Sequence, residues 1–237
     1  MKRITKFLSS TLGLIALLGL SGCNNETTCN PIENEKEDLH EIYKISKEDF
    51  DNFYGIKEEK YLQISGFFGF SFSYSSIFQN VFFKKQYAPN ISYSYNLASY
   101  YGANYFSIGE IVCKPEEGSN LIYNYTDSHD GNGYQRADIP TDSIPTPQSD
   151  ILNILRTVAG QGTAFNLTYD MIENKFCEAT NSYLFNLTIN EFTYDMEVSF
   201  FMNKIVNFKA QGVKGNTDIK FGSVSFTYET VTPEFDF

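Results

Sequence analysis

Histidine is scarce in this chain and tryptophan is missing: 237 residues hold two of the former and none of the latter. A Ser-His-Asp hydrolase needs an imidazole beside an activated serine. The two imidazoles are His40, next to a polar acidic stretch, and His129, in a turn-like segment, and no Gly-x-Ser-x-Gly elbow accompanies them. The four cysteines, at 23, 29, 113 and 177, lack zinc-site spacing. Carboxylates cluster at Glu33 to Glu41, Glu58-Glu59 and Glu116-Glu117. Such pairs suit glycoside hydrolysis, but without a placed partner they read more simply as solvated faces. A non-enzymatic protein without metal or cofactor is therefore expected. Positive charge is short as well, with 18 Lys and Arg against 29 Asp and Glu. That imbalance repels nucleic acid and anionic lipid head groups, so nucleic acid is not an expected partner.

Long apolar runs are limited too. Phe7 to Leu20 spans 14 residues, short of the roughly 18 needed to cross a bilayer. Lys2, Arg3 and Lys6 precede it, and the small residues Ser21 and Gly22 follow. This is the three-part layout of a secretory signal. Its ending, Leu20-Ser21-Gly22-Cys23, resembles the lipobox of bacterial lipoproteins. The resemblance implies cleavage between Gly22 and Cys23, a diacylglyceryl group (palmitate-like chains) on the Cys23 thiol, and attachment to the extracytoplasmic face of the cell membrane. Residues 1–22 are then a signal peptide. Without their three cations, 15 basic side chains face 29 acidic ones, for a formal charge of −14. Residues 23–38 are polar and acidic, with Pro31 and no apolar period, and read as a flexible tether. Residues 39–237 form one domain, long enough to bury a core unaided.

Within that domain a short helical segment comes first, with Phe50, Phe53 and Tyr54 at helical spacing over 47–54 and Gly55 ending it. From Tyr61 the period becomes two. Leu62, Ile64, Phe68, Phe70, Phe72 and Tyr74 share a face; Ile91, Tyr93, Tyr95 and Leu97 repeat the pattern, as do Leu121, Tyr123 and Tyr125. Phe165 to Met171, Tyr183 to Ile189, Phe192 to Phe200 and Val224 to Tyr228 continue it. Clean alternation means strands with one face buried, the pattern of antiparallel sheets. Turns are expected at Asn132-Gly133, Asn203-Lys204 and Gly212 to Asn216. They are too short for helical crossovers, so about ten strands form a meander.

One helix interrupts it. After the proline-rich stretch 138–147, Ser149 is placed to cap Ile151, Leu152, Ile154, Leu155 and Val158, and Gly160 and Gly162 stop the run. So many strands cannot stay flat. The expected fold is mainly β, a curved antiparallel meander or half-barrel around one buried helix, with a β-sandwich or closed barrel as the alternative. This architecture, with the strand–turn–strand run Phe192 to Phe237, is similar to the LolA-like half-barrel lipoprotein domain. In that family the concave face holds acyl chains, which implies a lipid or another apolar small molecule as ligand. The resemblance carries over no functional residue.

Three local candidates remain. Asp127 to Tyr134 has the Asp and Asn oxygens of a calcium loop, but Ser128 and Ile139 stand at ligand positions, so a hairpin turn is the simpler reading. Cys113 and Cys177 both fall in strand-like segments and either pair as a disulfide outside the cell or stay as buried thiols. Tyr93, Tyr95, Tyr100, Tyr101 and Tyr105 crowd around Gly102. They either pack a core or form a contact patch for protein or glycan, the alternative to lipid binding.

Overall fold

The computed structural model describes residues 40–72, 77–100, 103–114, 119–128, 132–160, 164–215 and 218–228, with backbone alone for 77–78, 100 and 103–106. Cys23 and its lipobox, Cys29, the 23–38 stretch, Tyr101 and His129 lie outside them. Everything described belongs to one unit, residues 31–237.

A 3-10 turn at Glu41–Tyr43 leads into α1 (Lys47–Asp51), capped by the Ser46 hydroxyl, which accepts from the Asp49 N–H at 3.0 Å. Six strands follow in chain order: β1 (Leu62–Phe72), β2 (Ile77–Ala88), β3 (Ile91–Tyr100), β4 (Ala103–Cys113), β5 (Tyr123–Asp127) and β6 (Gln135–Arg136). Then come α2 (Pro147–Val158), α3 (Tyr169–Ile172), and β7 (Phe176–Cys177), β8 (Ser182–Ile189), β9 (Phe192–Phe201), β10 (Lys204–Lys214) and β11 (Asp218–Thr227). All eleven strands pair antiparallel in one open sheet, ordered β6-β5-β4-β3-β2-β1-β11-β10-β9-β8-β7. The fold is thus mainly β, made of two meanders joined where β1 meets β11. The sheet has two edges, β6 and β7, so it is neither a closed barrel nor a sandwich. The chain reaches one edge and returns through α2 and α3. It then meanders inward from the other edge, so its first and last long strands are neighbours at the centre.

Local chemistry explains the helix and the turns. Pro147 occupies the first turn of α2, where a missing N–H costs nothing, which moves the cap back to Thr146. Ser149 is the third helical residue and completes a reciprocal capping box: its N–H donates to Thr146 Oγ1 at 3.3 Å, and its Oγ accepts from the Thr146 N–H at 3.1 Å. Ile151, Ile154, Leu155 and Val158 sit at i, i+3, i+4 and i+7 and are buried, packing on β1, β10 and β11. The β9–β10 turn is Met202-Asn203, one residue earlier than expected, with both residues at positive φ. Asn190-Glu191 makes a second turn of that kind between β8 and β9. Gly212 lies inside β10 and the following turn begins at Gly215. The 165–171 segment is not a strand. Phe165 and Leu167 are buried, but their backbone crosses the helix side and enters α3.

Neither sequence alternative for Cys113 and Cys177 holds for the pair: they do not bond to each other, and only one of them is a free thiol. Cys113 is a buried free thiol, while Cys177 is disulfide-bonded to a partner outside the described residues. The reason is topological. Cys113 ends β4 and Cys177 ends β7, eight strand steps away in the sheet order. At about 4.8 Å per step that separation far exceeds the ~7 Å limit for bridging two Cα atoms.

Candidate functional site

The two faces of the sheet are told apart by register. Leu62 and Ile64 point into the main core under α2, so Gln63 points the other way. Gln63 pairs with Gln86, Gln86 with Tyr93, Tyr93 with Ile111, and Ile111 with Tyr125. Ile111, Cys113 and Tyr125 form a second buried cluster with Ile91, Tyr93, Tyr123 and Tyr134 packed on it. This cluster therefore lies on the face away from α2.

The helix side is filled by the chain itself. Tyr194, Phe165, Phe200 and Phe208 are wholly or almost wholly buried, and Phe165 stacks on Phe208 at 5.8 Å. Tyr54 donates to the Leu167 carbonyl at 3.1 Å, and burial pushes its hydroxyl up to about 12. A surface recess of about 240 Å³ lies beside this core, between the turn at 57–60, Ala88-Pro89 and residues 144–148. Its floor is polar: Gln148 Nε2 reaches the carbonyls of Ile56, Lys57 and Glu59 at 2.7, 2.9 and 3.0 Å.

The away face is different. Phe67, Phe82 and Leu97 are direct cross-strand partners on β1, β2 and β3. Phe67 sits 6.1 Å from Phe82 and 6.2 Å from Phe221, rings tilted. Phe82 is 36% exposed, and Phe67, Leu97 and Phe221 are half-buried, so water reaches the whole run. The next row along the strands reads Ser225, Ser65, Lys84, Tyr95, Gly109 and Asp127. At Gly109 the tip of Tyr134 approaches the strand: a Cβ on Gly109 would stand 2.6 Å from the Tyr134 hydroxyl. Tyr93 and Tyr134 share a hydrogen bond. Burial first, then the neighbouring Tyr134 and Tyr95, pushes the Tyr93 hydroxyl up to about 12. The Arg136 guanidinium covers the Tyr123 ring at 4.7 Å. The result is an apolar stripe edged by hydroxyl groups, Lys84 and Asp127, able to stack on a flat ligand and to hydrogen-bond its rim.

Of the tyrosines singled out in the sequence, Tyr93 and Tyr95 belong to this surface. Tyr100 and Tyr105 are described only by backbone, at facing ends of β3 and β4. Phe67, Phe82, Phe221 and Tyr134 were missed as site residues. The first three read as ordinary strand aromatics, and Tyr134 reads as part of a turn. The available signal was Phe67 and Phe82 breaking the parity of Phe68 and Phe83. The His40 Nδ1 lies 2.8 Å from Asn181 Oδ1, and the ring meets Phe176 edge-on at 6.5 Å. Among the described residues no three His, Cys, Asp or Glu side chains are placed to share a metal ion.

No family model matches the chain. No curated protein sequence matches it significantly either.

Proposed function

We propose that this chain is an extracytoplasmic lipoprotein, held to the membrane by diacylglyceryl-Cys23, whose β domain is a non-enzymatic contact module for neutral glycans. The anchor reading is supported by the Lys2 to Cys23 segment. Two acyl chains, at about 0.8 kcal/mol per buried methylene, hold without help from charge. The contact reading rests on one observation: the side of the sheet under α2 is occupied by the protein's own side chains, while Phe221, Phe67, Phe82 and Leu97 meet water across four adjacent strands. A lipid in the concavity, the first expectation from sequence, needs room that this packing fills with Phe165, Phe200 and Phe208. The row beside the stripe carries hydroxyl groups with one cation, Lys84, and one carboxylate, Asp127, a balance that suits an uncharged, hydroxylated partner with apolar C–H faces.

The test is retention of neutral oligosaccharides by the purified tagless domain, compared with Phe82→Ala and Phe67→Ala. Each truncation should weaken binding about three- to tenfold, the range of one aromatic contact, and leave the fold intact. Capture of a protein that survives both substitutions moves the contact elsewhere. A lipid recovered by organic extraction restores the concave-face reading. Labelled palmitate incorporation, lost in Cys23→Ser, tests the anchor separately.

A further inference from the structure

On the helix side, beyond the first turn of α2, the sheet changes from apolar to polar. The row that starts at Ile64 on β1 continues through Lys85, Ser94 and Glu110 to Thr126. Its two carboxyl-bearing neighbours are treated differently. Asp150, in the first turn of α2, takes the Lys85 ammonium at 2.9 Å and the Tyr87 hydroxyl at 2.7 Å, so the Lys85 charge is already neutralised. Glu110 receives only neutral donors, Asn124 Nδ2 at 2.5 Å and Ser94 Oγ at 3.3 Å. No cation stands against it among the described residues. A cleft of about 30 Å³ opens between these groups. Ser92 lines it as well, and although only 7% of that residue is exposed, its hydroxyl has no hydrogen-bond partner among the described residues. The Ser92 oxygen is not sealed from water, so it is free to accept from a ligand atom in the cleft.

We infer that this cleft is a subsite for one primary ammonium group. The volume takes one or two water-sized groups, and an ammonium is of that size. Three acceptors line the space for its three N–H donors: the Glu110 carboxylate and the Ser92 and Ser94 hydroxyls. Two carboxylates, Asp150 and Glu110, outnumber the one ammonium, Lys85, along the lining, which disfavours an anion. The strongly acidic chain concentrates cations around the site. The subsite is independent of the outer aromatic stripe, which occupies the other face.

The test is an NMR titration of the full mature chain with n-propylammonium chloride, followed at the backbone amides of residues 92–94 and 110. Tetramethylammonium chloride, potassium chloride and 1-propanol serve as matched controls. Saturable shifts at millimolar concentration are expected with propylammonium alone. Glu110→Gln keeps the Asn124 contact and should weaken binding about tenfold or more, and Ser92→Ala by a smaller factor. Competition by glucosamine or by Nα-acetyl-lysine amide then identifies whether a sugar or a side chain supplies the amine. Equal shifts with tetramethylammonium or propanol, no saturation, or an undiminished response in a folded Glu110→Gln variant would each overturn the assignment.

Discussion

The two buried clusters of this sheet follow the same alternation rule and end on opposite faces. Under α2, β1, β2 and β8 to β11 turn their apolar side chains toward helices that cover them, and 28 buried residues close into one core. Over β3 to β5 the parity is reversed. Ser92, Ser94 and Asn96 share the face of Ile64, and Tyr93 and Ile111 share the other. Among the described residues, Tyr134 and the strand around Arg136 cover that smaller cluster. A helix buries a broad stripe, whereas a tyrosine and a short strand cover a few residues and leave the flanks wet. A chain this rich in aromatics can therefore hold its main core on one face and leave a wet aromatic surface on the other.

The largest expected difference between the two is in stability. Leu155→Ala, in the main core, should cost about 3–5 kcal/mol in denaturant unfolding. Ile111→Ala, equally buried but in the smaller cluster, should cost about 2 kcal/mol, because a thinly covered site collapses more easily. Equal losses would show that the clusters are not energetically distinct.

Backbone approach gives the next effect. A Cβ on Gly222 would stand 2.4 Å from the Val158 carbonyl, at the end of α2. Gly222→Ala should therefore destabilise by about 1–3 kcal/mol, as overpacking does. Gly109→Ala meets only the tip of Tyr134 and should cost less than Gly222→Ala. It should also speed amide exchange around 109–113 without moving the global transition. An unchanged melt for Gly222→Ala would mean the helix end is free to shift.

Alkaline titration separates one tyrosine from each region. Tyr54 under α2 and Tyr93 on the away face are both pushed up to about 12, chiefly by burial. The unfolded chain releases these protons near 10, so folding is favoured fully below pH 10 and progressively less between 10 and 12. Absorbance at the tyrosinate band should show late-ionising groups, and each Tyr→Phe change should remove one and flatten the fall in stability over that window. Titration of all tyrosines near 10 would contradict the burial of both.

The smallest effect concerns thiols. Cys113, buried and with its pKa raised by that burial, should resist alkylation in native protein and react after unfolding without reductant. Cys177 should react only after reduction. Label on Cys113 in the folded protein would mean the small cluster opens readily.

Legibility followed the kind of burial. Strands β8 and β9 were readable because Tyr183 to Phe200 alternate against a single covered face. The same pattern at Phe165 to Met171 gave a false strand, since a chain crossing a core buries alternate residues without any ladder. The two-residue turn was placed one residue late because Met202, a poor candidate by type, adopts positive φ there. For the site, the tyrosine density near Tyr93 was visible, but the Phe67–Phe82–Leu97 row needs three strands in register before it exists.

By itself the sequence determined the antiparallel β class and the amphipathic helix α2 with its buried positions. These depend on neighbours along the chain: period and capping chemistry. The tertiary structure alone decided which side of the sheet each alternating set faces, that Cys113 and Cys177 lie too many strands apart to bond, and that among the described residues Asp150 has a counter-ion while Glu110 receives only neutral donors. Those outcomes depend on the pairing of strands distant in sequence, where a one-residue change of register exchanges the faces.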